Sequence, residues 1–127
     1  MAQAVHHINS LAELQALFSS AMYVAVDFSA EWCQPCKMIG PIFQKQAAQH
    51  GRPGFLAFAK VDVDRAKEVA EKYRVSAMPT FMFFKEGKQV AVNGQAMIRG
   101  ADPKSLAAAA EKLAALATQK AGEAGKA

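Results

Sequence analysis

A chain of 127 residues, 52% hydrophobic and 20% charged, is long enough to bury one core and too short for two. The formal charge of +4 is scattered, with no run of Lys or Arg and no aromatic interleaving, which argues against nucleic-acid binding. No apolar stretch approaches the roughly 20 residues that cross a bilayer, and Met1-Ala2-Gln3-Ala4-Val5-His6-His7 is too short and mixed for a secretory leader; the expectation is no membrane and a cytoplasmic location.

Val5 to Ile8 reads as a short strand. Asn9-Ser10-Leu11-Ala12-Glu13 is a helix start in which Ser10 accepts from first-turn amides and Glu13 reaches back, a capping box. Leu11, Leu14, Leu17 and Phe18 share one face, so this helix runs to about Ser20. His6 and His7 project to opposite sides of a strand, and no further cysteine or nearby histidine completes a metal site, so surface or edge positions are expected. Tyr23-Val24-Ala25-Val26-Asp27-Phe28 is mainly apolar on both faces, as in a central strand. Asp27 is its anomaly. Buried there, a carboxylate must be paired, hydrogen-bonded or protonated, unless it lies at a strand end that reaches water.

From Cys33 the chain reads as helix, with Met38, Ile39, Ile42, Phe43 and Ala47 as its apolar stripe and an end near His50-Gly51. Pro35 suits the first turn, while Pro41 lies inside and removes a backbone bond. Phe55 to Val63 is the next strand, after which Asp64 is predicted to cap a helix through Tyr73. Thr80 to Phe84 forms a strand behind Met78-Pro79, and Glu86-Gly87 turns into Lys88 to Val92. Asn93-Gly94 is a second turn signal ahead of Met97-Ile98-Arg99-Gly100. Asp102-Pro103 opens the last helix, with Leu106, Ala110, Leu113 and Ala117 inward. Residues 1–117 are thus expected as one domain and 118–127, small and polar, as a flexible tail. Alternating strands and helices followed by a hairpin and a helix predict an α/β fold, a mixed sheet covered on both faces.

Cys33 and Cys36, the only two cysteines, lie where the central strand gives way to a helix, at the carboxyl edge where α/β proteins place their sites. The spacing permits a small disulfide ring or a shared metal ion. Free amides and the dipole at a helix N-terminus stabilise a Cys33 thiolate, so Cys33 is expected as an exposed nucleophile. Cys36, deeper in the helix, stays protonated until it attacks Cys33 and resolves the mixed disulfide. Asp27, with its pKa raised by burial, is a candidate acceptor for the Cys36 proton. A zinc site would need four ligands, and His6, His7 and His50 offer no second pair at finger spacing, so it would require an inter-chain arrangement; an inert structural disulfide is the other alternative.

Val26-Asp27-Phe28-Ser29-Ala30-Glu31-Trp32-Cys33-Gln34-Pro35-Cys36-Lys37 resembles the active-site stretch of the thioredoxin family, and Met78-Pro79-Thr80-Phe81 resembles its proline loop. Lys60-Val61-Asp62-Val63-Asp64 and Gly87 also fit, so the resemblance covers about residues 5–117. It implies a thioredoxin fold, a central mixed five-stranded sheet flanked by four helices, with a cis Met78-Pro79 bond facing the cysteines. It further implies that Trp32, Met78, Pro79, Gly100 and Ala101 form the surface on which target chains dock, and that Lys60 tunes Asp27. The implied protein-disulfide reductase is a monomer with no bound cofactor or metal. It is re-reduced with NADPH electrons by thioredoxin reductase, and it reduces peroxiredoxins, methionine sulfoxide reductases and ribonucleotide reductase. Two departures stand out. Gln34-Pro35 replaces the usual Gly-Pro, which bears on the redox potential, and the Gly87 to Gly100 segment is several residues longer than usual, with Asn93-Gly94 expected at the tip of an extended hairpin. A disulfide oxidase or isomerase, or a binding subunit of a larger complex, are the competing functions.

Overall fold

A computed structural model describes residues 5–125. The expected reading of Met1 to Ala4 and the last two residues of the expected tail lie outside them. The described elements are β1 (His6–Ile8), α1 (Leu11–Ser20), β2 (Tyr23–Ser29), α2 (Gln34–His50) and β3 (Leu56–Asp62). They continue with α3 (Lys67–Lys72), β4 (Thr80–Lys85), β5 (Lys88–Val90), β6 (Met97–Arg99) and α4 (Pro103–Ala124).

The sheet order is β1-β3-β2-β4-β5, with β6 also on β4. Strands β1, β3 and β2 are parallel, and β4, antiparallel to β2, begins the returning half. β2 lies in the middle, and all its residues are buried, as its doubly apolar pattern requires. Because side chains alternate along strands, the two faces have separate cores. Tyr23, Ala25, Phe58, Phe81 and Phe83 pack on one face against Ile39 and Phe43 of α2 and Leu106 and Leu113 of α4. Phe43 meets the rings of Phe58 and Phe81 at 5.5 and 5.7 Å. On the other face Val24, Val26, Phe28, Ala59 and Phe84 pack against Leu14 and Leu17 of α1 and Val69 of α3. Asp27 belongs by alternation to the α2 face.

Local chemistry accounts for the ends. Ser10 Oγ accepts from the Glu13 amide at 3.2 Å while Glu13 Oε1 accepts from the Asn9 amide at 2.9 Å, so the capping box forms. Asp102 caps α4 by accepting from the Ser105 amide at 3.1 Å. α4 continues as helix to Ala124, through much of the segment expected as a flexible tail; Ala117 is buried against the core and the residues after it keep helix-forming composition. The helix expected from Asp64 starts later, at Lys67, with Ala66 as an N-cap that makes no side-chain bond. The cause is Asp62, whose Oδ1 takes the amides of Asp64 and Arg65 in a turn that postpones the helix.

The expected fifth strand is present but split. Val90 of β5 opposes Phe83, and Met97 of β6 opposes the neighbouring Met82, so β5 and β6 are two parts of one edge strand from which Ala91 to Ala96 depart. The excursion is a tight hairpin: Val92 and Gln95 exchange backbone bonds of 2.9 and 3.0 Å around Asn93 and Gly94, at φ +53° and +80°. Positive φ at both positions is what a two-residue turn matched to strand twist requires. Val92 turns inward and is buried in the α2-face core, which ties the excursion down.

Candidate functional site

β2 ends at Ser29, and Ala30, Glu31 and Trp32 carry the chain to Cys33, the N-cap of α2. Cys33 Sγ accepts the Cys36 amide at 3.2 Å, filling the role that a serine or aspartate oxygen plays at other caps. The two cysteines form a disulfide, with Cα atoms 5.2 Å apart. In this state Cys33 is only 4% exposed and Cys36 3%, so the expected contrast between an exposed and a sheltered cysteine is absent. The pair packs with Ala30, and Val63 and Met78 cover it.

The Met78-Pro79 peptide is cis. Pro79 O accepts the Gly100 amide at 2.8 Å, and Gly100 takes φ +91°, a conformation open to glycine at little cost. Thr80 Oγ1 donates to Ala77 O at 2.6 Å and closes the same loop. Met78 packs against the cysteines, and Gly100 is bonded to Pro79 beside it; Ala101 follows Gly100 as an exposed residue. Trp32 is 66% exposed and donates Nε1–H to Asp64 Oδ2 at 2.9 Å. The sequence pattern, in which Asp64 has the chemistry of a helix cap, does not reveal this bond, because the turn after β3 that aims Asp64 at Trp32 is set by the fold. Beside it Arg65 pairs with Glu31 at 3.3 Å, both side chains largely in water. Gln34 and Pro35 are exposed on the first turn of α2.

Asp27 lies on β2, the strand that leads to the cysteines, 1% exposed, and neither carboxylate oxygen has a hydrogen-bond partner among the described residues. Burial pushes its pKa up to about 7, and the Lys60 ammonium pulls the other way less strongly. Lys60 stands directly opposite Asp27 in the β2–β3 register. A cleft of about 670 Å³ opens at Lys60, lined also by Cys36, Lys37 and Asp62 among others. A carboxylic acid that ionises near neutrality can take and return a proton at physiological pH. Among the described residues no three His, Cys, Asp or Glu side chains group to hold a metal, and no helix is long and apolar enough to cross a membrane.

A family model described as thioredoxin matches residues 6–112. The chain is 60% identical over 116 residues to a thioredoxin-like protein of Fusarium culmorum, covering 91% of this chain and 96% of that one. It is 56% identical over 125 residues to a thioredoxin of Neurospora crassa, covering 98% of each. The solved thioredoxin of Malassezia sympodialis superimposes with a TM-score of 0.77 at 37% identity, over 88% of this chain and 92% of that one. A redox-active pair at a helix N-cap and a match along nearly the whole chain agree: the protein belongs to the thioredoxin family and is a thiol–disulfide oxidoreductase that reduces protein disulfides through Cys33 and Cys36.

Proposed function

We propose that Cys33 is the attacking thiolate, Cys36 the resolving thiol and Asp27 the acceptor of the Cys36 proton. The Cys33 thiolate attacks one sulfur of a target disulfide; a Cys33–target bond forms and the other target sulfur leaves as a thiolate. Cys36 then gives its proton to Asp27 and attacks Cys33 Sγ. The intramolecular disulfide forms, the mixed disulfide breaks, and the target departs with two more electrons than it arrived with. The observation that carries this assignment is the Cys36 amide directed at Cys33 Sγ from the N-terminal turn of α2, a donor that stabilises negative charge on that sulfur.

Target chains dock on Trp32, Met78, Pro79, Gly100 and Ala101, with Met78 packed against the cysteines and Gly100 bonded to Pro79. Lys60 tunes Asp27 across the strand pair, and Gln34 with Pro35 tunes the potential through the first turn of α2. The protein works as a monomer in the cytoplasm, where it maintains redox homeostasis. It is re-reduced by thioredoxin reductase at the expense of NADPH, and its targets are peroxiredoxins, methionine sulfoxide reductases and ribonucleotide reductase. Reduction of insulin coupled to NADPH consumption by a thioredoxin reductase tests the scheme. Cys33→Ser abolishes turnover and Cys36→Ser accumulates a mixed disulfide; wild-type turnover by either variant would sink it.

A further inference from the structure

The geometry points to His7 as the group that carries the Asp27 proton to and from solvent, through the cleft behind Cys36. This rests on the proton role given to Asp27 above. The strand registers supply the first observation. His7 opposes Lys60 in the β1–β3 pair, and Lys60 opposes Asp27 in the β2–β3 pair. Laterally paired residues of a sheet project to the same face, so His7, Lys60 and Asp27 form one row on the α2 side. The second observation is that one cleft joins the first two members of this row: its lining includes the exposed His7, Lys60 and Cys36, and Asp27 lies buried next to Lys60 in the sheet. His6, one residue earlier, opposes Ala59 and faces the other side of the sheet.

Adjacent strands lie about 4.8 Å apart, which separates the His7 and Asp27 backbones by roughly 10 Å. That is too far for direct transfer, whereas a cleft of about 670 Å³ has ample room for bridging water. The charged groups around the route favour its use. Arg65 is paired with Glu31, and the remaining charged groups lining the cleft are the Lys37 and Lys60 ammonium groups and the Asp62 carboxylate, whose Oδ1 accepts the amides of Asp64 and Arg65. Lys60, opposite Asp27, favours its ionised form and so release of its proton outward. The proton balance is simple: Asp27 gives its proton through water to the His7 imidazole, the imidazolium gives it to bulk solvent, and Asp27 is left as the carboxylate that accepts from Cys36.

The effect has a distinct pH signature. In acid and neutral solution many molecules start with Asp27 protonated and must empty it before Cys36 can be deprotonated; in alkaline solution they do not. The reduced full chain is mixed with dithiobis(nitrobenzoate). Attack by Cys33 releases one thionitrobenzoate and resolution by Cys36 releases the second, so the two steps are read separately. His7→Gln is expected to slow the second release by about threefold or more near pH 6. It leaves that release unchanged near pH 8.5 and the first release unchanged throughout, and added imidazole restores the rate. His6→Gln, on the same strand, leaves both releases unchanged. Wild-type behaviour of His7→Gln at pH 6, a slowing that imidazole does not rescue, or equal slowing by His6→Gln would each overturn the assignment to His7. If the wild-type chain released only one thionitrobenzoate, the Cys33–Cys36 scheme itself would fail.

Discussion

Asp27→Asn removes an ionisable group while keeping its shape, and its consequence for stability follows from the burial of the site. The folded-state pKa of about 7 stands roughly 3 units above the ordinary 3.8. Below pH 3.8 the folded and unfolded chains both hold the proton and the group costs nothing. As pH rises toward 7 the unfolded chain releases a proton that the folded chain keeps, so the unfolded state is favoured progressively and stability falls. Above pH 7 both states are ionised and the loss levels off at about 4 kcal/mol, taking 1.36 kcal/mol per unit. The substituted carboxamide bears no charge and is as unpartnered as the protonated carboxyl it replaces, so the desolvation of a neutral polar group largely cancels. Urea unfolding of the oxidised protein and of Asp27→Asn from pH 4 to pH 8.5 should give curves that nearly coincide at the acid end. They should separate with rising pH, the variant becoming more stable by up to about 4 kcal/mol. In the same variant the resolving step loses its dependence on a group ionising near 7 and slows. A stability difference constant across the range would refute the reasoning, because it would mean that Asp27 ionises alike in both states.

Asp64→Ala removes the acceptor of the Trp32 indole and should shift the emission of the only tryptophan, while the exposed bond costs less than about 1 kcal/mol of stability; unchanged emission would show that the bond does not hold the ring. Gly100→Ala meets no atom within 4 Å of the added Cβ, so its cost is the φ of +91° alone, about 1–2 kcal/mol by chemical denaturation. Target reduction should weaken alongside as the Pro79 contact loosens. Val92→Ala should cost about 2 kcal/mol through lost burial and the space it leaves; no measurable loss would mean that the Ala91 to Ala96 hairpin is not anchored in the core.

Short-range patterns were legible because each rests on neighbours in the chain. The Ser10 and Asp102 caps, the alternation of β2 and the Asn93-Gly94 turn all appear where residue chemistry puts them. The misreadings came where a distant group competed for the same atoms. Asp64 has the chemistry of a helix cap, but the Trp32 indole and the Asp62 turn claim that segment, and α3 begins late. Asn93-Gly94 tips a hairpin as expected, but a short one between Val92 and Gln95, because pairing with β4 on both sides of it makes the flanking residues one interrupted edge strand.

The cysteine spacing, the strand that leads into them and the presence of an acid at position 27 are properties of the chain alone, and they were enough to specify thiol–disulfide chemistry. What they could not specify is lateral. Alternation tells which residues of one strand share a face but not which residue of another strand stands beside them, because register depends on how loops and cores let the strands slide. Only the folded sheet aligns His7, Lys60 and Asp27 in a row beside Cys36, and only packing by Val63 and Met78 buries both sulfurs of the closed pair.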